Sequence, residues 1–129
     1  MQQFRDAVES HDLDALVALF TDDVVFRSPV VHAPYQGREQ VGVLLRAVGE
    51  VFEDFRYTRE LGAPDSNDHA LVFRARVGDR ELEGCDFIHT NEDGLIDELF
   101  VMIRPLSGLL AMADAMKRQL ALAESAGAG

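Results

Sequence analysis

The sequence predicts an α+β fold: a conical α+β barrel in which a curved, mostly antiparallel sheet wraps around a long helix, with N-terminal helices and a C-terminal helix. Three observations predict it. Apolar residues recur at helical spacing at the start, in the middle and at the end of the chain. Between the middle helix and the last one the period changes to two, over four runs joined by turn residues. Hairpin-linked strands with helices gathered on one face point to α+β and away from a doubly wound parallel sheet. A sheet curved around a helix leaves a cone, and the open end of a cone is a natural place for a ligand pocket.

The elements follow in order. Phe4 and Val8, then Leu13, Leu16, Val17, Leu19 and Phe20, mark two short helices meeting at a corner near Ser10-His11-Asp12, with Asp12 as N-cap of the second. Thr21-Asp22-Asp23 stops that helix. Val24 to Ser28 reads as a strand ended by Pro29. Val30 to Gln36 is a loop. Gly37-Arg38-Glu39-Gln40 opens the long helix, whose Val41, Leu44, Leu45, Val48, Val51 and Phe52 form one apolar stripe. Phe55 to Leu61 and Leu71 to Val77 alternate, separated by the turn Asp65-Ser66-Asn67-Asp68. Gly78-Asp79 makes a tight hairpin. Leu82 to Ile88 is the next strand, Asn91-Glu92-Asp93-Gly94 a second hairpin, and Leu95 to Arg104 the last strand, closed by Pro105. Leu106, Leu109, Leu110, Ala113, Met116 and Leu120 mark the final helix, and residues 126–129 read as a disordered tail.

A chain of 129 residues fits one domain, residues 1–125 here, and can bury roughly two-thirds of its extended surface without staples. Its 12 Lys+Arg against 23 Asp+Glu give a net charge of −11, a field that repels phosphate backbones and anionic membranes. Nucleic acid and membrane are therefore not expected partners. With one cysteine, Cys85, no intrachain disulfide forms. The N-terminus lacks a basic-then-apolar leader and no stretch reaches membrane-spanning length, so a cytoplasmic location is the expectation.

One acid stands out. Asp86 sits mid-strand between Cys85 and Phe87, although Asp is depleted in strands. The two-residue period places it on one face with Leu82, Gly84 and Ile88. Facing inward, its carboxyl must be paired, hydrogen-bonded or neutralised by a raised pKa. The alternative is an Asp86 paired with an arginine or a backbone group, or turned to solvent. The last strand is apolar on both faces: Leu99, Val101 and Ile103 on one, Phe100 and Met102 on the other. Such a strand is buried on both sides: one side is the cone, and the other needs a partner, which supports a dimer.

Three blocks resemble the nuclear-transport-factor-2-like superfamily and, within it, the SnoaL-like proteins: Asp14 to Phe26, Gly37 to Val41, and Asp86 to Glu98. The resemblance covers almost the whole chain. The resemblance implies the conical α+β fold and a homodimer through the outer face of the sheet. It implies no single activity, since members include ketosteroid isomerases, polyketide cyclases, an epoxide hydrolase, a dehydratase and non-enzymatic binders. Ketosteroid isomerases carry a base Asp in the first strand before a proline, a Tyr in the first helix and a neutral acid in a later strand. By this resemblance the base slot holds Ser28, the Tyr slot holds Phe4, and Asp86 alone is retained. A serine does not take a proton from a carbon acid as a carboxylate does, and a phenylalanine donates no hydrogen bond. The chain resembles that scaffold without its machinery, and ketosteroid isomerase activity itself is not expected.

The candidate catalytic residues are Asp86, as acid or hydrogen-bond donor, and His32 in the proline-flanked loop, as base near neutral pH. Candidate ligand contacts are Ser28, Tyr35 and Tyr57 as hydrogen-bonding groups and Phe26, Phe73, Ile88, Val101 and Ile103 as an apolar lining. His11, His32, His69 and His89 lack short ligand spacing, and no Gly-rich phosphate loop is present, so no metal and no cofactor is expected. The expected ligand is a small apolar organic molecule. The enzyme reading is cofactor-free acid/base chemistry of isomerase, cyclase or dehydratase type. The competing readings are a non-catalytic ligand-binding module and a dimerisation module. Polar groups converging on Asp86 favour chemistry, whereas an all-apolar cavity with Asp86 satisfied by backbone favours binding.

Overall fold

The computed structural model describes the backbone of residues 1–128 and the side chains of residues 1–122. Helix α1 spans Gln2–Glu9 and α2 spans Leu13–Val17. They meet at the expected corner. Asp12 caps α2, its carboxylate accepting from the Ala15 N–H at 3.1 Å. His11 takes a left-handed φ of 58° there, and the N–H groups of His11 and Asp12 bond back to the carbonyls of Val8 and Ala7. This is the geometry that ends a helix by satisfying its last carbonyls.

Strand β1 runs Phe20–Arg27, four residues earlier than the expected start at Val24. Thr21-Asp22-Asp23 does not stop the preceding helix; those residues form the first half of the strand. The β1 ladder with the last strand slips between Phe20 and Val25, which leaves this polar segment room to bulge outward. The loop that follows is shorter than expected, because Tyr35–Gln36 forms a two-residue strand, β2, on the edge of β1. Helix α3, Arg38–Val51, starts after Gly37 and buries Val41, Leu44, Ala47 and Val51. Strands β3 (Glu53–Leu61), β4 (Asp68–Val77), β5 (Arg80–Thr90) and β6 (Ile96–Arg104) follow. All three of their pairings are antiparallel. The β4–β5 hairpin turns through Gly78 at φ 61°, with Val77 paired to Arg80. One positive φ at the first central position is what a two-residue II′ turn requires. Helix α4 spans Leu106–Ala128. The expected tail, 126–129, falls where side chains, and for Gly129 the backbone too, lie outside the described residues.

The sheet order is β2-β1-β6-β5-β4-β3, and β1 lies parallel to β6. The sheet is therefore mixed but mostly antiparallel, and α+β as the sequence predicts. Its concave face packs on α3, and the fully buried side chains Phe20, Val24, Val41, Leu71, Phe73, Ile88, Ile96 and Leu99 form the core. Edge strand β3 is the irregular one. Its register against β4 shifts between Glu53 and Arg56 and again between Tyr57 and Arg59, and Asp54 takes a positive φ of 55°. Bulges bend a strand and re-aim its side chains. Here they turn Phe55 and Tyr57 into the cone.

Candidate functional site

A cavity of about 640 Å³ lies between the inner face of the sheet and helices α1, α2 and α3. Its walls are mostly apolar: Phe4, Leu16, Phe26, Phe52, Phe55, Phe73, Val101, Ile103 and Met112. Among the described residues, two polar side chains stand deep in it, Asp86 and Tyr57. Exposed Glu9, His11, Arg46, Glu50 and Asp54 rim the mouth.

Asp86 is placed by β5, where it pairs with Leu71 of β4 and Val101 of β6 in the middle of the sheet. It is 8% exposed. The Tyr57 hydroxyl donates to Asp86 Oδ2 at 2.8 Å, and among the described residues no other protein hydrogen bond reaches the carboxyl. Tyr57 pairs with Phe73, and Phe73 with Gly84, so Tyr57 reaches Asp86 diagonally across β4. The reach is open because residue 84 has no side chain. A Cβ there would lie 2.3 Å from Phe73 Cζ, so the Phe73 ring occupies the space that any other residue would fill.

Burial raises the Asp86 carboxyl from 3.8 to about 7, with the Tyr57 hydrogen bond pulling the other way. Burial also pushes the Tyr57 phenol well above its ordinary range, and the adjacent Asp86 adds to the rise. Tyr57 thus remains a donor across the physiological range. Asp86 sits near the point where it holds or releases a proton at neutral pH, which is the property an acid/base group needs.

The other sequence candidates divide. Phe26, Phe73, Val101 and Ile103 line the cavity with Asp86 and Tyr57. Ile88 is 2% exposed in the core and does not reach the cavity wall. His32 is exposed on the β1–β2 loop and lies outside the cavity lining. It falls there because Ser28 turns the loop: the Ser28 hydroxyl accepts from the N–H groups of Val30 and Val31 at 3.0 and 3.3 Å. That use also occupies Ser28. Tyr35 packs against Phe26 with ring centroids 6.3 Å apart, but it opens on a separate surface groove beside Arg38 and Gln40. The structure therefore does not bring His32 to Asp86. The sequence reading missed the rim, His11, Arg46 and Glu50. The signal for His11 was its place at the break between the first two helices, where a corner faces the open end of a cone. Among the described residues no group of three or more His, Cys, Asp or Glu is arranged to hold a metal ion, and no helix is long and apolar enough to cross a membrane.

The mixed sheet wrapped on a helix is the fold of nuclear-transport-factor-2-like α+β proteins. The SnoaL-like domain family matches residues 1–99, and the chain belongs to that family. A crystal structure from Pseudomonas aeruginosa, described as a steroid delta-isomerase, is 43% identical, with a TM-score of 0.92 over 96% of this chain and 90% of that one. An uncharacterised protein from Silicibacter pomeroyi with a cystatin-like fold is 36% identical, with a TM-score of 0.87 over 92% and 82%. The epoxide hydrolase/cyclase-like enzyme SalBIII, of pyran ring formation in salinomycin, shares the fold at 17% identity, with a TM-score of 0.67 over 83% and 88%. Among curated proteins, none matches the chain.

Proposed function

We propose that the chain binds a small, mainly apolar organic molecule in the cone and offers it a proton from Asp86, as a cofactor-free acid/base catalyst of isomerase, cyclase or dehydratase type. One observation carries the reading: Tyr57 engages one oxygen of a buried carboxyl in a cavity that is otherwise mostly apolar. Tyr57 is a polar group converging on Asp86, the feature expected for chemistry. In its neutral form Asp86 donates from its free oxygen to a ligand carbonyl, ether or epoxide oxygen. For a carbonyl ligand, negative charge develops on that oxygen as solvent water at the cavity mouth takes the neighbouring carbon-bound proton. The low-dielectric wall then strengthens the Asp86 hydrogen bond, and Tyr57 stabilises the carboxylate if the Asp86 proton passes to the oxygen. The description of the 43% identical relative as a steroid delta-isomerase supports a substrate with an enolisable carbonyl.

A second reading, a non-catalytic binder, is favoured by Ser28, which lies outside the cavity lining. Ser28 stands in the slot where isomerases carry a base, and its hydroxyl is held by the loop. The two readings separate in one experiment. Cyclic enones and matched hydrocarbons are titrated at about pH 5.5 and pH 8.5, and the enones are assayed for deuterium uptake from D2O. Enones are expected to bind about tenfold more tightly at the lower pH and the hydrocarbons equally at both, one hydrogen bond being worth about 1 kcal/mol or slightly more. Deuterium uptake supports catalysis, while pH-dependent binding without uptake supports the binder. Binding of enones that ignores pH overturns the role of Asp86.

The outer face of the sheet supports a homodimer. Phe87 and Met102 are 39% and 53% exposed there, and Phe87 stacks near Phe100 at 5.6 Å. Light scattering at low micromolar concentration is expected to give twice the chain mass, and Met102→Glu the monomer mass. A wild-type monomer would count against the dimer.

A further inference from the structure

We propose that Arg5 of α1 is a positioning residue for the Tyr57–Asp86 pair: lying over the Tyr57 ring, it holds the phenol in line with the carboxyl and favours the ionised form of Asp86. The inference rests on the reading of Asp86 as the acid of the cavity. The Arg5 guanidinium carbon lies 5.8 Å from the centroid of the Tyr57 ring, within cation–π range. Its Nε is buried and has no hydrogen-bond partner among the described residues. The nearest carboxylates, Glu9 at 3.6 Å and Glu60 at 3.9 Å, stand beyond hydrogen-bond distance. Both distances are ion-pair contacts, so Arg5 is shared between two partly exposed carboxylates and the Tyr57 ring.

The position of Arg5 in the sequence gives the arrangement its meaning. Phe4, in the slot where the related isomerases carry a donor tyrosine, is 3% exposed and packs on Tyr57 with ring centroids 6.4 Å apart. Helix α1 thus gives the site no hydroxyl. It supplies an apolar ring and, one residue on, a cation, while the hydroxyl comes from β3. A positive charge beside a phenol makes its O–H a stronger donor, and a stronger donor stabilises the carboxylate that accepts from it. Arg5 thereby offsets part of the burial that drives Asp86 toward its neutral form.

The charged and titratable groups around the pair are Arg5 and Glu9 on α1, Glu60 on β3 and Asp86 itself on β5, with His11 at the α1–α2 corner, Arg46 and Glu50 of α3 and Asp54 of β3 lining the mouth of the same cavity. From β4 and β6 the groups facing it are apolar, Phe73 and Val101. Glu9 opposes Arg5, and its charge raises the Tyr57 phenol where that of Arg5 lowers it.

The chain has two tyrosines and no tryptophan, so tyrosine labelled at Cζ gives two carbon resonances, which Tyr35→Phe assigns. In the wild type the Tyr57 resonance is expected to move with pH as Asp86 ionises, and to stay flat in Asp86→Asn. In Arg5→Gln the midpoint is expected to rise by about half a pH unit or more, and in Arg5→Lys to return most of the way, because charge carries most of the effect. Glu9→Gln is expected to lower the midpoint, and it carries the test should Arg5→Gln fail to fold. A wild-type resonance that never titrates overturns the reading of Asp86 itself. A wild type that titrates, with midpoints unmoved in Arg5→Gln or, failing that, in Glu9→Gln, overturns the role of Arg5 alone.

Discussion

The chain is expected to lose stability as the pH rises from about 5 to about 8, and Asp86→Asn is expected to abolish that loss. Asp86 ionises at 3.8 when exposed and at about 7 when buried in the fold. The folded chain therefore holds this proton more tightly than the unfolded one. Its contribution to stability is complete below 3.8, declines as the unfolded chain ionises and the folded chain does not, and is gone once the pH has passed about 7. At about 1.4 kcal/mol per pH unit, the stretch from pH 5 to pH 7 is worth about 2–3 kcal/mol, or a fall in Tm of about 10 °C for a domain of this size. The quantity to measure is the difference between wild type and Asp86→Asn by calorimetry, which isolates the Asp86 share. Parallel melting curves for the two proteins would show that the Asp86 carboxyl ionises normally. The same measurement bears on the proposed function, since a carboxyl that is still partly neutral near pH 7 has a proton to donate to a ligand oxygen.

What the sequence makes legible here is local. The alternation of Leu71, Phe73, Ala75 and Val77, the turn at Gly78-Asp79 and the inward parity of Asp86 are each decided within a few residues, and each is where the periodicity places it. Pairings that depend on distant segments are not legible. Strand β1 begins at Phe20 because β6, some seventy residues later, pairs alongside it, and Tyr35–Gln36 becomes a strand only because β1 offers an edge. The site divides in the same way. Asp86 is conspicuous as an acid in an apolar strand, and Tyr57 is visible as a polar residue in the neighbouring run. Their union is not visible, because it runs diagonally over β4 and depends on two bulges in β3. His32 illustrates the opposite error. Being near the mouth in chain order gave it no place in the cavity, since the turn held by Ser28 carries the loop outward.

Gly84→Ala is expected to be among the most damaging single-methyl additions in the chain, costing about 2–3 kcal/mol, at the upper end for overpacking a closed core. The added carbon would lie 2.3 Å from Phe73 Cζ, 2.7 Å from Phe73 Cε2 and 2.9 Å from the Met102 carbonyl oxygen. The carbonyl belongs to the β5–β6 ladder and cannot retreat without breaking it. The ring must move instead. Phe73 is 1% exposed and stacks on Phe55 at 4.9 Å, with Phe52 at 5.9 Å and Tyr57 at 6.4 Å. Displacing it transmits the strain to the aromatic group that seats the Tyr57 hydroxyl on Asp86. Two consequences follow beyond the lower Tm. The pH-dependent loss described for Asp86 should extend to higher pH and grow in total, because a carboxyl deprived of its donor ionises at still higher pH. Phe73→Leu, itself destabilising, should recover part of the Gly84→Ala loss by vacating the contested space, giving a coupling of about 1 kcal/mol or more in a double-mutant cycle. Strictly additive losses would show that the ring and the glycine do not compete, and that the diagonal from Tyr57 to Asp86 is kept open by something other than the missing side chain at position 84.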